Sequence, residues 1–285
     1  MQLVVDVGNT ETVVGVTADG HELVAHWRLS TTVPRTADEY THLLRSLLRE
    51  AEYGPERFRR SVLGSVVPSA SEVLSVALPR VADGPVFAVG PDSPLPITLD
   101  VEEPRTVGAD RIVNTLGAAT LYRRDTITVD LGTATTFDVI TEGAVFMGGV
   151  IAPGVSAGLE WLGRRTAKLP RVELVPPTVC IGRRTEACIQ SGIFYGVVDA
   201  VDGMVRRIRE EWERPDALVV ATGGFAGVVG PHCASVDLIE PFLTLRGLAI
   251  AGEHLGGKDP RRGERPDRRS GCGEGEGKRK TGGAG

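Results

Sequence analysis

Two short segments of this 285-residue chain carry the residue types that phosphate chemistry requires. Val5-Asp6-Val7-Gly8-Asn9-Thr10 and Val129-Asp130-Leu131-Gly132-Thr133-Ala134 share one form: apolar, Asp, apolar, Gly, small polar, small. Gly8 and Gly132 lack a Cβ, so the backbone N–H groups around them can come close to an anion. Asn9, Thr10 and Thr133 add side-chain donors. Asp6 and Asp130 close apolar runs, where a carboxylate can hold a hydrated cation that neutralises phosphate charge. One Asp-x-Gly turn is commonplace in α/β proteins and implies nothing. Two, recurring 124 residues apart between matching apolar runs, point to a nucleoside triphosphate gripped between them.

A third segment supplies a base. Gly108-Ala109-Asp110-Arg111 opens a helical pattern, where an Asp is often only an electrostatic cap worth under ~1 kcal/mol. Beside Arg111 and near the junction of the two repeats, Asp110 can also accept the proton of an attacking hydroxyl. Arg111 can hold an anionic group meanwhile. Positioning, charge neutralisation and one base are what phosphoryl transfer asks for. The run Thr222-Gly223-Gly224-Phe225-Ala226-Gly227, after a strand over 217–222, can admit a flat adenosine ring over its glycine pair.

Other chemistries find less support. The chain has no G-x-x-x-x-G-K-[ST] and no G-x-G-x-x-G after a strand. Gly154-Val155-Ser156-Ala157-Gly158 has the form of a hydrolase nucleophile elbow. However, Ala152-Pro153-Gly154 reads as a loop after a strand over 144–151, and a hydrolase would leave both Asp–Gly turns unused. The five His residues show no i,i+4 pairing, which argues against a metal–His site.

Around these segments the pattern is α/β. Each Asp–Gly turn reads as the tip of a hairpin, with strands over 12–16 and 136–140 following. Thr36-Ala37-Asp38-Glu39 has capping-box form and opens a helix with Tyr40, Leu43, Leu44, Leu47 and Leu48 on one face. A second helix is predicted from Ser69 to a stop at Pro79, and a third over 109–122. Residues 185–212 form a long amphipathic pattern in which Gly192 and Gly196 suggest close approach of another backbone, in the same chain or a second subunit. Two duplicated domains follow, over residues 1–117 and 118–256.

Composition agrees with a soluble globular protein: 41% hydrophobic and 24% charged. No segment has the apolar length to span a bilayer, and MQLVVDVGNT shows no export signal. Cys180, Cys188, Cys233 and Cys272 form no CxxC pair, as in reduced cytoplasmic proteins. From Gly257 onward nine Lys or Arg stand against five Asp or Glu. The rest then carries 23 basic and 32 acidic groups, which disfavours nucleic acid as the partner. Residues 257–285 have almost nothing apolar to bury and are expected to be disordered.

Seven segments in order make the chain resemble the type III pantothenate kinases, of the acetate and sugar kinase and actin superfamily. They are Asp6–Thr10, Val107–Asn114, Val129–Ile140, Gly148–Gly154, Thr166–Pro170, Thr185–Gly196 and Ala221–Gly224. The resemblance spans Leu3 to about Leu255. It implies two actin-like (ribonuclease H-like) domains with a cleft between them. The implied reaction is transfer of the ATP γ-phosphoryl to the primary hydroxyl of pantothenate, the first step toward coenzyme A.

By motif match, Asp6, Val7, Gly8, Asn9, Thr10, Glu11, Thr12 and Val13 would bind ATP, with Thr133 from the second hairpin. Asp110 would be the general base, and Gly108, Ala109, Asp110 and Arg111 the pantothenate loop, with Arg111 near the carboxylate. Thr185 would also touch the substrate, and Asp130 would hold a monovalent cation, K⁺ or NH₄⁺, required beside Mg-ATP. A cytoplasmic homodimer is implied, with pantothenate near the subunit interface. Val101 stands where many relatives carry an aromatic residue, and Arg184 where Asn is frequent. Two alternatives remain: a superfamily kinase for another small hydroxyl acid, or a non-catalytic ATP-binding regulator. The latter would dispense with Asp110 or Asp130, and both are present.

Overall fold

The computed structural model describes residues 1–19, 21–165 and 168–257, and the side chains of residues 164 and 165 are left aside. The tail beyond residue 257 and two positions of the Thr166–Pro170 segment, Thr166 and Ala167, lie outside the described residues.

The first half folds as β1 (Gln2–Val7), β2 (Glu11–Thr17), β3 (Leu23–Ser30), α1 (Ala37–Glu50), β4 (Arg60–Ser65), α2 (Pro68–Val81) and β5 (Val86–Val89). A short strand, β6 (Thr98–Leu99), and α3 (Ala109–Tyr122) lead to the second half. There β7 (Thr126–Leu131), β8 (Ala134–Ile140), β9 (Val145–Pro153), α4 (Val155–Arg165) and α5 (Thr185–Trp212) precede β10 (Leu218–Thr222). The chain continues through α6 (Ala226–Val229), β11 (Leu238–Ile239) and α7 (Leu243–Leu255).

The sheets prove the duplication. The first has strand order β3-β2-β1-β4-β5; the second runs β11-β10-β7-β8-β9-β6. Read from its other side, the second repeats the first strand for strand, with β6 added at the β9 edge. Pairing matches as well: β1–β2 and β7–β8 are antiparallel hairpins, while β1–β4 and β7–β10 are parallel.

Strand alternation then decides which residues face the cleft. In β1, Leu3, Val5 and Val7 pack outward with Leu44, Leu48, Leu74 and Leu78 of α1 and α2. In β7, Ile127, Val129 and Leu131 pack outward with Phe194, Val198, Val201 and Val205 of α5. The intervening residues, Val4 and Asp6 in one strand and Thr128 and Asp130 in the other, must point the opposite way. Burying each outward Leu or Val stabilises by roughly 1.5–3 kcal/mol, so a register slip that reversed the two aspartates would forfeit both cores.

Between the sheets lie α3 and α7. Ile112, Val113 and Leu116 of α3 share a core with Leu245, Leu248 and Ile250 of α7, and with Val4 and Val62 of the first sheet. The final helix thus returns to the first sheet, where Gln2 Nε2 donates to Ala249 O at 3.0 Å and Arg60 donates to Gly252 O. The division at residues 117 and 118 drawn from sequence passes through α3, the helix packed between the two halves.

Several local expectations hold. Thr36 and Glu39 form the reciprocal capping box, and α3 and α5 have the predicted bounds. Two need correction. Helix α2 starts at Pro68, in the first turn where a missing N–H costs nothing, and runs past Pro79 to Val81. Pro79 sits in the last turn, so only one terminal hydrogen bond is lost, and Ala82 N still closes on Leu78 O. The loop expected over 152–154 shrinks to Gly154 alone, since β9 extends through Pro153 and α4 begins at Val155.

Candidate functional site

Both hairpin tips meet across the cleft. Gly8 N donates to Glu11 O at 2.9 Å and Gly132 N to Ala134 O at 3.0 Å, each glycine closing its own turn, the first one residue longer than the second. Thr10 Oγ1 and Thr133 Oγ1 lie 2.9 Å apart, one hydroxyl from each half. Asn9, Thr10, Glu11 and Thr133 are exposed at the tips. Val7 and Thr12 are buried and Val13 is partly so, and the backbones of all three lie in the sheet ladder. The Thr12 hydroxyl is occupied with that of Thr31 at 2.7 Å, and Glu11 accepts from Arg28 at 2.8 Å.

Below the tips the acidic residues converge. Asp6 and Asp130 keep some surface open, yet the walls around them are deep enough for burial to dominate their titration. Burial, then the charges of Asp110 and Asp130, push the Asp6 carboxyl up to about 8. Burial and the Asp110 charge push Asp130 up to about 6, against a hydrogen bond from Asn114 Nδ2 at 3.4 Å. Both carboxyls thus feel the charge of Asp110, which places the three expected carboxylates near one another. Asp110 comes from the first turn of α3, where its Oδ1 accepts the backbone N–H of Arg111 at 2.8 Å.

Arg111 is held by a residue the sequence reading passed over. Its Nε donates to Asp138 Oδ1 at 2.7 Å, and its Nη2 lies 2.6 Å from the same oxygen. The Asp138 side chain is 0% exposed and that of Arg111 17%, so the pair is shielded. Burial raises the Asp138 carboxyl to about 7, with the Arg111 guanidinium pulling the other way. Asn114 was missed too. Both had signals: Asn114 follows Asp110 by one helical turn, and Asp138 shares the inward face of its hairpin with Asp130.

Gly223, from the glycine pair after β10, has φ +89°, and a Cβ there would lie 2.3 Å from Asp130 Oδ1. Only glycine fits this approach to the acidic floor. Thr185 is exposed at the first turn of α5, and no described hydrogen bond links it to the carboxylates. Arg184, its N-cap, makes no capping bond, since a guanidinium has no acceptor.

A profile of the type III pantothenate kinase family matches residues 2–207. The chain belongs to that family. A type III pantothenate kinase of Moorella thermoacetica is 44% identical over 253 residues, spanning 89% of this chain and 99% of that protein. One from Exiguobacterium sibiricum is also 44% identical over 253 residues, with the same shares covered. Solved structures confirm the actin-like kinase fold. A Baf family transcriptional activator from Campylobacter jejuni superposes with a TM-score of 0.55 at 17% identity, covering 89% of this chain and 98% of that one. A ROK family glucokinase from Streptomyces griseus gives 0.51 at 11% identity, covering 88% and 97%. At such identities the likeness concerns the fold alone. Family membership assigns the reaction class: the chain is a pantothenate kinase, which phosphorylates pantothenate with ATP and a divalent metal.

The residues suit that metal. Among the described residues no group of three His, Cys, Asp or Glu side chains forms a ready-made metal site. Asp6 and Asp130 are instead hard oxygen donors whose carboxyls are raised by burial and by the neighbouring Asp110 charge. A hydrated cation carrying nucleotide phosphates supplies the opposing charge. Among the described residues no helix is long and apolar enough to cross a membrane.

Proposed function

We propose that Asp110 is the general base of this kinase, taking the proton of the pantothenate primary hydroxyl as it attacks the ATP γ-phosphorus. The observation that carries this reading is the convergence of Asp110 on Asp6 and Asp130, the paired hairpin aspartates, at the helix start that faces the cleft. Asp6, Val7, Gly8, Asn9, Thr10, Glu11, Thr12 and Val13, with Thr133 opposite, hold the triphosphate through backbone N–H groups and hydroxyls. Gly108, Ala109 and Arg111 hold pantothenate, with the guanidinium on its carboxylate. Asp130 holds a monovalent cation, K⁺ or NH₄⁺. The divalent metal, when bound, neutralises charge on the transferring phosphoryl group. In this reading, residues 1–117 and 118–256 are the duplicated domains that bring the two hairpins together.

The active form is a cytoplasmic homodimer. Nothing lies within 4 Å of where a Cβ of Gly192 or Gly196 would stand, so the close neighbour these glycines suggest is not part of the described chain. Met147, Ile151, Trp161, Val179 and Ile181 expose apolar surface on nearby elements of the same half. A second copy covering that face could bring a partner Thr185 to the substrate.

The test is a coupled assay with Mg-ATP in K⁺, NH₄⁺ or Na⁺, comparing pantothenate with other small hydroxyl acids. Pantothenate is expected to be the best acceptor, with turnover only in K⁺ or NH₄⁺. Equal turnover in Na⁺ removes the cation role from Asp130, and a better acceptor among the other acids changes the substrate.

A further inference from the structure

Arg111 follows Asp110 in the chain and pairs with Asp138, and left free it would have both carboxylates to choose from. An unrestrained arginine loses rotamer freedom when fixed, and either carboxylate could fix it. Pairing with Asp110 would be the more damaging choice, because a neighbouring guanidinium makes a carboxylate a poorer proton acceptor.

The surroundings impose a single choice. Asp138 Oδ1 accepts a hydrogen bond from Nε and lies 2.6 Å from Nη2 in an ion pair, while Nη2 and Asp138 Oδ2 are buried without a hydrogen bond. The guanidinium carbon lies 5.0 Å from the centre of the Phe146 ring, a cation–π contact on its flat side. Gly149 lies opposite Asp138 in the β8–β9 register; a Cβ there would first strike Phe137 O at 1.7 Å and would also stand 3.0 Å from Nη2, so bare backbone borders the guanidinium. A carboxylate, a ring and a bare backbone therefore enclose Arg111. Its Nη1 has no partner among the described residues and is not among the buried unpaired atoms, so it is the edge left to a ligand.

We infer that Asp138 is a positioning residue: it aims the free Nη1 edge of Arg111 at the substrate carboxylate, and thereby sets the preference for an acid over its neutral analogue. This rests on the proposed role of Arg111 in holding pantothenate. Asp138 touches no reacting atom itself, and its effect is confined to the end of the substrate where the carboxylate lies.

The experiment compares pantothenate with pantothenyl alcohol, which keeps the reacting hydroxyl but has no carboxylate, in wild-type, Asp138→Asn, Arg111→Met and doubly substituted enzyme. A charge-assisted contact is worth about 1.5–3 kcal/mol, so wild type should prefer the acid by roughly tenfold to a hundredfold in kcat/KM. Asp138→Asn should shrink that preference to about threefold or less, mainly through KM for pantothenate, with KM for ATP unchanged. The double variant should discriminate no worse than Arg111→Met alone, because both changes remove one device.

An Asp138→Asn enzyme that keeps the wild-type preference overturns the inference, as does one that loses rate equally on both substrates while KM for ATP rises. Should Asp138→Asn fail to fold, Arg111→Lys decides, since it keeps the charge and loses the fork. Its preference should also collapse, and retention of the wild-type ratio would refute the aiming role. If wild type fails to phosphorylate pantothenate at all, the proposed function falls first, a result distinct from either of these.

Discussion

On the inward face of the first sheet, the residue paired with Val4 across the hairpin is Gly15; in the second, the residue paired with Thr128 is Asp138. A Cβ on Gly15 would come within 2.8 Å of Leu23 and 3.0 Å of both Leu245 and Val4, so the position is filled by apolar side chains, one of them from α7. The matching place in the second sheet takes Arg111 from α3. The hairpin aspartates differ in the same sense. Asp130 receives a hydrogen bond from Asn114, whereas no described side chain donates to Asp6. One half of the duplicated unit is closed by packing and the other by polar contacts. Duplication supplied two equivalent frames, and the helix laid across each determined whether it became scaffold or substrate pocket.

The largest break in this comparison comes at Asp110, where the polar half meets the chemistry. Asp110→Asn preserves size and the acceptor for the Arg111 N–H, but has no basicity. Turnover should fall by roughly a hundredfold or more, the usual scale for a general base, while thermal stability stays near wild type. Single-turnover rates with pantothenate and Mg-ATP would show it. A rate close to wild type would move the base elsewhere and leave Asp110 as a helix cap.

The apolar half should fail differently. Gly15→Asp imposes on the first sheet the residue found at the matching place in the second, with no arginine to receive it. Overpacking costs about 1–3 kcal/mol and an unpaired buried carboxylate adds to that, so urea unfolding should shift to clearly lower midpoints. The fraction that remains folded should keep its KM for pantothenate, because the nearest neighbours of a Cβ on Gly15 are Leu23, Leu245 and Val4, none of them in the Gly108–Arg111 loop. A rise in that KM without loss of stability would show that the two halves are less separate in role than their packing suggests.

How much of this was legible in the sequence follows from range. The hairpins, the capping box at Thr36 and the bounds of α3 and α5 are local, set by turns, caps and periodicity within a dozen residues. The strand alternation that turns Asp6 and Asp130 inward is local as well. The return of α7 to the first sheet is not, since Gln2 and Ala249, 247 positions apart, are joined only by a tertiary hydrogen bond. Asp138 fell between these cases. Its inward phase could be read from the hairpin, but its partner lies across the fold on α3, and a strand aspartate with no visible partner looks like any other. The two-residue β6, paired with β9, was too short to leave a pattern.

The smallest effect concerns the two hairpin aspartates in the absence of ligands. Asp6 titrates near 8 in the folded chain and near the model-peptide value of 3.8 when unfolded. A folded value above the unfolded one means that the folded state binds the proton more tightly. Stability from this group is therefore complete below about pH 4 and is lost as pH rises toward 8. Asp130, relieved by Asn114, should lose its share earlier, by about pH 6. The melting temperature of protein free of nucleotide and metal should decline between pH 5 and 8.5. Asp6→Asn should flatten the upper part of that slope and melt higher than wild type at pH 8, by several degrees for a gain of about 1–2 kcal/mol. Added Mg-ATP should stabilise wild type more than the variant, since the carboxylate that destabilises the empty cleft is the one that helps fill it. A variant melting below wild type at pH 8 would mean that Asp6 is already compensated in the empty protein, and that the contrast with Asp130 is one of sequence only.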